Sequence, residues 1–221
     1  MKKSAFALVA ALAAFGAQAA TVSFQYGLPV VLSTTEINQT GALGLFDSTL
    51  GTLTGASIEV FGEALFNFTG TNNANQSQRA TLTSSTTLFW TSSLGALNPF
   101  LADTIALSAT SGSLVYAVGE TKSFGPFPTA SSNVDNLAAI LASLQQAGGG
   151  SFNVNCESQS GLSVVGGGGN ISTTQATTAG CGARIVYDFT ATPTRVPEPT
   201  SLALVGLALA GIGAASLRRK A

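Results

Sequence analysis

The stretch IEVFGEALFNF, residues 58–68, decides the fold. Its even-numbered positions are all apolar or small, whereas its odd-numbered positions include Glu59 and Glu63. An alternation with a period of two residues is typical of a β-strand that buries one face and exposes the other. Phe61 and Leu65 are exceptions, because they place apolar side chains on the polar face. The stretch therefore predicts a half-buried strand.

The neighbouring sequence repeats this pattern. Residues 79–91 place Ala80, Leu82, Leu88 and Trp90 on one face. Turn-forming residues connect the two stretches, and a hairpin is therefore predicted. Further strands, the last with Ile185, Tyr187 and Phe189 pointing inward, are predicted at residues 22–28, 104–108, 114–118, 152–155 and 184–191. Many short strands with glycine-rich turns predict a mainly β fold with a single antiparallel β-sandwich domain.

One short helix is expected within this domain. Residues 133–147 follow capping candidates and carry apolar side chains at helical spacing until Gly148. An apolar stripe of this width usually packs on its own domain, so we expect the helix to cover an edge or an end of the sandwich.

The C-terminal residues 193–221 have a different character from the domain. Pro197, Glu198 and Pro199 precede an apolar stretch at residues 200–217, and the basic end Arg218-Arg219-Lys220 follows at once. An uncharged helix of this length, about 25 Å at ~1.5 Å per residue, is just long enough to cross a bilayer. The basic cluster places its end on the cytoplasmic side. We therefore predict a C-terminal transmembrane helix.

The order of these three parts resembles the PEP-CTERM sorting signal of Gram-negative bacteria. The resemblance implies processing by an exosortase, a membrane protease that cuts near Pro-Glu-Pro. It also implies a precursor anchored in the inner membrane, and a product at the outer surface or in the extracellular matrix. Such systems accompany exopolysaccharide and biofilm production, which makes exopolysaccharide an expected partner.

The N-terminus has the features of a secretory signal peptide, residues 1–20. Two lysines precede an apolar run, and Ala17 and Ala19 stand at the positions that signal peptidase reads, with Ala20 next. This predicts a signal helix, export through the Sec translocon, and a domain at residues 21–192.

Charge and cysteine content narrow the function. Residues 21–196 contain nine acidic and four basic side chains, a net charge of −5, without a basic cluster. Nucleic-acid binding is therefore not expected.

Cys156 and Cys181 are the only cysteines, and a pair in an exported chain predicts a disulfide, with a redox or free-thiol role as the alternative. The segment between them is expected to be a flexible loop.

The middle of the chain also resembles a known family. LFDSTLGTLTGA, residues 45–56, the following strand, and IVYDF, residues 185–189, are similar to the choice-of-anchor E domain. The resemblance implies a surface β domain, and it carries no active-site residues.

Candidate activities are few. The chain has no histidine, so the usual hydrolase dyads lack their base, and no metal or cofactor site is expected. We expect a non-enzymatic structural or adhesive protein. The alternatives are a carbohydrate-binding module that stacks sugars on Tyr26, Trp90 and Tyr116, with Tyr187 as a further candidate, and an enzyme that uses paired carboxylates on a polysaccharide.

Overall fold

Ten strands arranged in two sheets form the fold of the computed structural model, which describes residues 18–192. Residues Gln18–Ala191 make one compact unit. The strands are β1 (Ala19–Tyr26), β2 (Ser33–Thr34), β3 (Asn38–Asp47), β4 (Gly51–Asn72), β5 (Gln78–Ser92), β6 (Ile105–Tyr116), β7 (Thr121–Asn136), β8 (Gln145–Gln146), β9 (Gly150–Gly166) and β10 (Ile171–Ala191). Short 3₁₀ helices occupy Gly95–Leu101, Ala138–Leu144 and Gly167–Gly169. The prediction of a mainly β protein is confirmed.

Sheet 1 has the order β1-β10-β4-β7. The short strand β2 also pairs with β10, at a different stretch from β1. Sheet 2 has the order β6-β5-β9-β3-β8. All strand pairs are antiparallel except the two-residue pair of β3 with β8. The inner faces of the two sheets contribute to one continuous apolar core. The arrangement is therefore a two-layer sandwich.

Strand β4 behaves as its sequence predicts. From Ala56 to Asn72 every even-numbered residue is buried, whereas the odd-numbered residues keep partial or full exposure. Strand β10 shows the same alternation from Ala183 to Phe189, with Ile185, Tyr187 and Phe189 in the core, whereas residues 179–183 are all buried. These two strands pair over 21 residues, and they form the centre of sheet 1.

The predicted hairpin of β4 and β5 is wrong, because the two strands belong to different sheets. Both strands bury their even-numbered faces, and those faces meet across the core. A Cβ atom on Gly70 would lie 2.7 Å from Leu82 Cδ2, so the Leu82 side chain packs directly against the backbone of Gly70. The buried side chain of Asn72 holds the connection, since its Nδ2 donates to the carbonyls of Gln76, Tyr116 and Ala117. The connection therefore crosses between sheets.

The predicted helix at residues 133–147 is also wrong. Residues 133–136 continue β7, where Asp135 pairs with Ile58 of β4. Asn136 Oδ1 then accepts a hydrogen bond from Ala138 N at 2.8 Å, and a 3₁₀ segment follows with a non-helical residue, Ile140. Leu137 and Leu144 of this connection are fully buried. Pairing with β4 therefore overrides the helical periodicity of the sequence.

Two further predictions are corrected by the strands. The strands expected at 104–108 and 114–118 are one strand, β6, with an irregularity in its register opposite Thr81 and Thr83. The segment between the cysteines is not a flexible loop, because residues 157–166 continue β9 and residues 171–180 belong to β10. Only a short turn separates them, and Gly167, Gly168 and Gly169 all have positive φ there.

Candidate functional site

The predicted disulfide is present, and it joins the two sheets. Cys156 lies on β9 of sheet 2 and Cys181 on β10 of sheet 1, and both are buried. Gln39 of β3 completes the surroundings: its Oε1 accepts from Cys181 N at 3.1 Å and its Nε2 donates to Val31 O at 3.1 Å. A buried cystine with these neighbours serves stability, since no thiol is free for chemistry.

Three of the four aromatic residues predicted to stack on sugars are core residues. Trp90 is 4% exposed, and Tyr116 and Tyr187 are 0% exposed. Tyr26 is half-buried, but its hydroxyl oxygen is inaccessible and makes no hydrogen bond to a described residue. This burial raises the pKa of Tyr26 to about 12. Trp90, Tyr116 and Tyr187 therefore offer no open face to a ligand, which corrects the stacking hypothesis for these three rings. For the half-buried Tyr26 the hypothesis stays a prediction.

A groove runs along the outer face of sheet 1. Its floor is formed by the outward side chains of β4 from Glu59 to Thr69. Three open cavities, with volumes of about 380, 290 and 380 Å³, follow one another along this floor. Residues 123–132 of β7 line one side. We call this feature the outer groove.

The segment 27–32 forms the other wall near the middle of the groove. It leaves sheet 1 between β1 and β2 and passes over β10. A Cβ atom on Gly180 would lie 2.6 Å from Val30 Cγ1, so the segment rests directly on the strand there. Leu28 and Leu32 line the cavities and are 51% and 39% exposed. The wall therefore presents apolar side chains to solvent.

Phe61 is the aromatic residue that lines the first cavity of the outer groove, at a position that breaks the alternation of β4. Phe68 and Phe124 line the third cavity. Phe61 is the register partner of Gly182 on β10 and of Ser132 on β7. Its ring leans across β10, since a Cβ atom on Gly182 would lie 2.5 Å from Phe61 Cζ. The ring thus occupies the space that a side chain at 182 would fill. Only glycine at this position lets the ring lie over the sheet.

The charged side chains of the groove surround this ring. Glu59 and Glu63 stand two residues before and after Phe61 on the same face, and Arg184 is the register partner of Glu59. None of the three makes an ion pair with a described residue, since the single ion pair among residues 18–192 joins Lys122 to Glu120. Their polar atoms are therefore available to a ligand.

Glu59 and Glu63 are also the candidates for the paired carboxylates of a polysaccharide-acting enzyme. Both line the first cavity. Four residues of strand separate their Cα atoms by about 13 Å at ~3.3 Å per residue. Glycosidase carboxylates lie roughly 5–10 Å apart. Phe61 lies between the two glutamates along the strand. Within residues 18–192 no cluster of three acidic or cysteine side chains is arranged to hold a metal ion.

The terminal signals are described only in part. Ala19 and Ala20 begin β1, where they pair with Thr190 and Phe189. The other predicted features of the two ends lie outside the described residues. They are Ala17, the predicted signal helix, Pro197–Pro199, the predicted transmembrane helix at residues 200–217 and the basic end at residues 218–220. In the part of the chain that is described, no helix is long and apolar enough to cross a membrane.

Comparison with family models assigns the C-terminal residues. Residues 195–220 match the PEP-CTERM protein-sorting motif. The PEP-CTERM motif indicates an exported protein that an exosortase processes, in association with the cell envelope. It covers the tail alone and gives no information about the domain at residues 21–192.

The other comparisons add little. No curated protein matches the chain. A chain from a structure of infectious bursal disease virus Gx strain is 13% identical, with a TM-score of 0.17 over 88% of this chain and 46% of that chain. A Gt strain structure gives 14% identity and a TM-score of 0.10 over 87% and 47%. The chain spans less than half of each viral chain, and neither likeness supports an argument about fold or function.

Proposed function

We propose that the mature protein is a non-enzymatic structural or adhesive component of the cell surface or of an exopolysaccharide matrix. In this proposal the precursor crosses the inner membrane of a Gram-negative bacterium through the Sec translocon and is held there by its C-terminal helix. The exosortase then cuts near Pro197–Pro199, and the domain reaches the outer surface or the biofilm matrix. The observation that carries the proposal is the PEP-CTERM motif at residues 195–220.

The domain has properties that suit this environment. A buried cystine between the sheets resists unfolding outside the cell, where no reducing system protects thiols. The net charge of −5 over residues 21–196 and the many serine, threonine and asparagine side chains suit contact with hydrated polymers. The resemblance of residues 45–56 and 185–189 to the choice-of-anchor E domain agrees with a surface β domain.

The absence of catalysis is part of the proposal. The chain contains no histidine, and Glu59 and Glu63 are spaced along one strand. Lys122, the single lysine of residues 21–196, is engaged by Glu120. A general base beside a nucleophile is therefore not apparent, and binding is the simpler use of the surface.

Replacement of the motif tests the export route. In Pro197→Ala/Glu198→Ala/Pro199→Ala we expect the uncut chain to accumulate in the membrane fraction, whereas wild type appears shortened in the surface or matrix fraction. Thr194→Ala, just outside the matched residues, is the control and should be processed normally. Normal processing of the triple variant would contradict the route.

Deletion of the gene tests the matrix role. We expect a biofilm that is weaker under shear or more easily dispersed, and recovery when the wild-type chain is restored. A matrix with unchanged cohesion and polysaccharide retention would contradict a structural or adhesive role while leaving the export route intact.

A further inference from the structure

We propose that the outer groove is the binding site for a linear, uncharged polysaccharide, with the ring of Phe61 as the platform for one sugar. This inference rests on the proposed function, since it names the matrix polymer's chemical class and its site.

The shape suits an extended chain. The three cavities lie in line along one strand, at residues 59–63, 63–65 and 67–69 of β4. From Glu59 to Thr69 the floor extends about 33 Å at ~3.3 Å per residue. All three cavities open to solvent along the same face, so several consecutive sugar units can lie in them. A single small molecule would fill only one of them.

Phe61 supplies the apolar contact that sugar rings require. Its ring lies over Gly182 and is half-buried, which leaves one side toward the groove. The C–H faces of a pyranose pack on aromatic rings, whose faces carry partial negative charge. Leu28 and Leu65 extend the apolar surface on either side of the ring. The groove thus combines a stacking platform with apolar flanks.

Polar side chains line the same cavity as Phe61. The carboxylates of Glu59 and Glu63 accept hydrogen bonds, and Arg184 donates them. Ser131 and Ser132 of β7 line the same cavity. Hydrogen bonds to charged groups are stronger than neutral ones, so a few such contacts fix the orientation of a sugar.

Charge selects among polysaccharides. The first cavity holds two carboxylates and one guanidinium group. Because the domain is also acidic overall, a polyanion such as a uronic-acid polymer would meet net repulsion along the groove. An uncharged polymer avoids this penalty and still uses the carboxylates as acceptors. The groove chemistry therefore favours a neutral glycan.

The test is calorimetric titration of the processed protein, purified from its host, with cellohexaose, maltohexaose and hexagalacturonic acid. We expect at least one neutral hexasaccharide to bind and the anionic one to bind more weakly. Phe61→Ala should weaken binding at least about tenfold, and Phe61→Leu nearly as much, because leucine still covers Gly182 but has no aromatic face. Phe89→Ala is the matched control, since Phe89 is 38% exposed on the other sheet.

Three results would overturn the inference. In the first, neither neutral hexasaccharide binds. In the second, both Phe61 variants bind with the affinity of wild type. In the third, the protein prefers the anionic hexasaccharide. Phe61→Leu retains the apolar cover, so it decides the test if Phe61→Ala fails to fold. Failure here with normal processing and matrix localisation would refute the groove alone. A wild-type protein that is not found at the cell surface or in the matrix would instead refute the proposed function.

Discussion

Removing the disulfide should destabilise the domain mainly by raising the conformational entropy of the unfolded chain. Cys156 and Cys181 are 25 residues apart in sequence and join the two sheets. The chain-entropy estimate for a loop of this size is about 3.5 kcal/mol at 25 °C. The double variant Cys156→Ala/Cys181→Ala also loses two buried sulfur atoms. We therefore expect its free energy of unfolding to fall by about 3 to 5 kcal/mol.

Urea unfolding followed by tryptophan fluorescence measures this effect, because Trp90 is buried and pairs in register with Cys156. The m-value should rise in the double variant, since an unfolded chain without the cross-link exposes more surface. Val154→Ala is the control: this buried residue lies on the same strand, and its truncation leaves the cystine intact. The control should lower the unfolding free energy without changing the m-value.

Two results would refute this reasoning. A loss below about 1 kcal/mol would show that the cross-link constrains the unfolded chain far less than its loop length implies. A large loss with an unchanged m-value would assign the stabilisation to native contacts instead.

Three further predictions concern single side chains. Tyr26→Phe should be as stable as wild type at pH 7, because the Tyr26 hydroxyl has no hydrogen-bond partner among the described residues. Burial raises the pKa of Tyr26 to about 12. Wild type should therefore lose stability between about pH 10 and about pH 12, and the variant should lose less. Urea midpoints that shift equally in both proteins between pH 7 and pH 11 would count against this. Asn72→Ala should cost about 3 kcal/mol in urea unfolding, because it leaves buried carbonyls at the β4–β5 connection without their donor; a loss under 1 kcal/mol would be incompatible with that role. Hydrogen bonds from Thr49 and Gly148 lower the pKa of Asp47, so its contribution is present above about pH 4, the unfolded value, and is lost as the pH falls through the folded value. The melting temperature of Asp47→Asn should therefore lie below that of wild type at pH 7 and converge with it at low pH, and a constant difference would contradict the assignment.

The sequence predicts the faces of strands well and their partners poorly. The alternation in β4 identifies the buried side chains, because burial on one face imposes a period of two. The same alternation in β5 gives no information about whether the two strands pair or pack. Their sheets are decided by distant contacts, such as the 21-residue pairing of β4 with β10. The alternation is therefore compatible with a hairpin and with packing across the core, and the structure has the second arrangement.

The candidate site shows a similar limit. Trp90 and Tyr116 attract attention by residue type, yet they lie on inner faces where the core uses them. Phe61 falls on the polar face of its strand, and this departure from alternation was the available signal for a surface aromatic. Its orientation depends on Gly182, which lies 121 positions away in sequence. No local pattern contains that information.

Mass spectrometry of the protein recovered from its native host tests the central claim, namely export with removal of both ends. The account predicts a chain that begins at Ala20 or Thr21, ends close to Pro197–Pro199 and contains the Cys156–Cys181 cystine. Recovery of a soluble cytoplasmic chain that still carries Met1 and Arg218-Arg219-Lys220, with both thiols reduced, would contradict it.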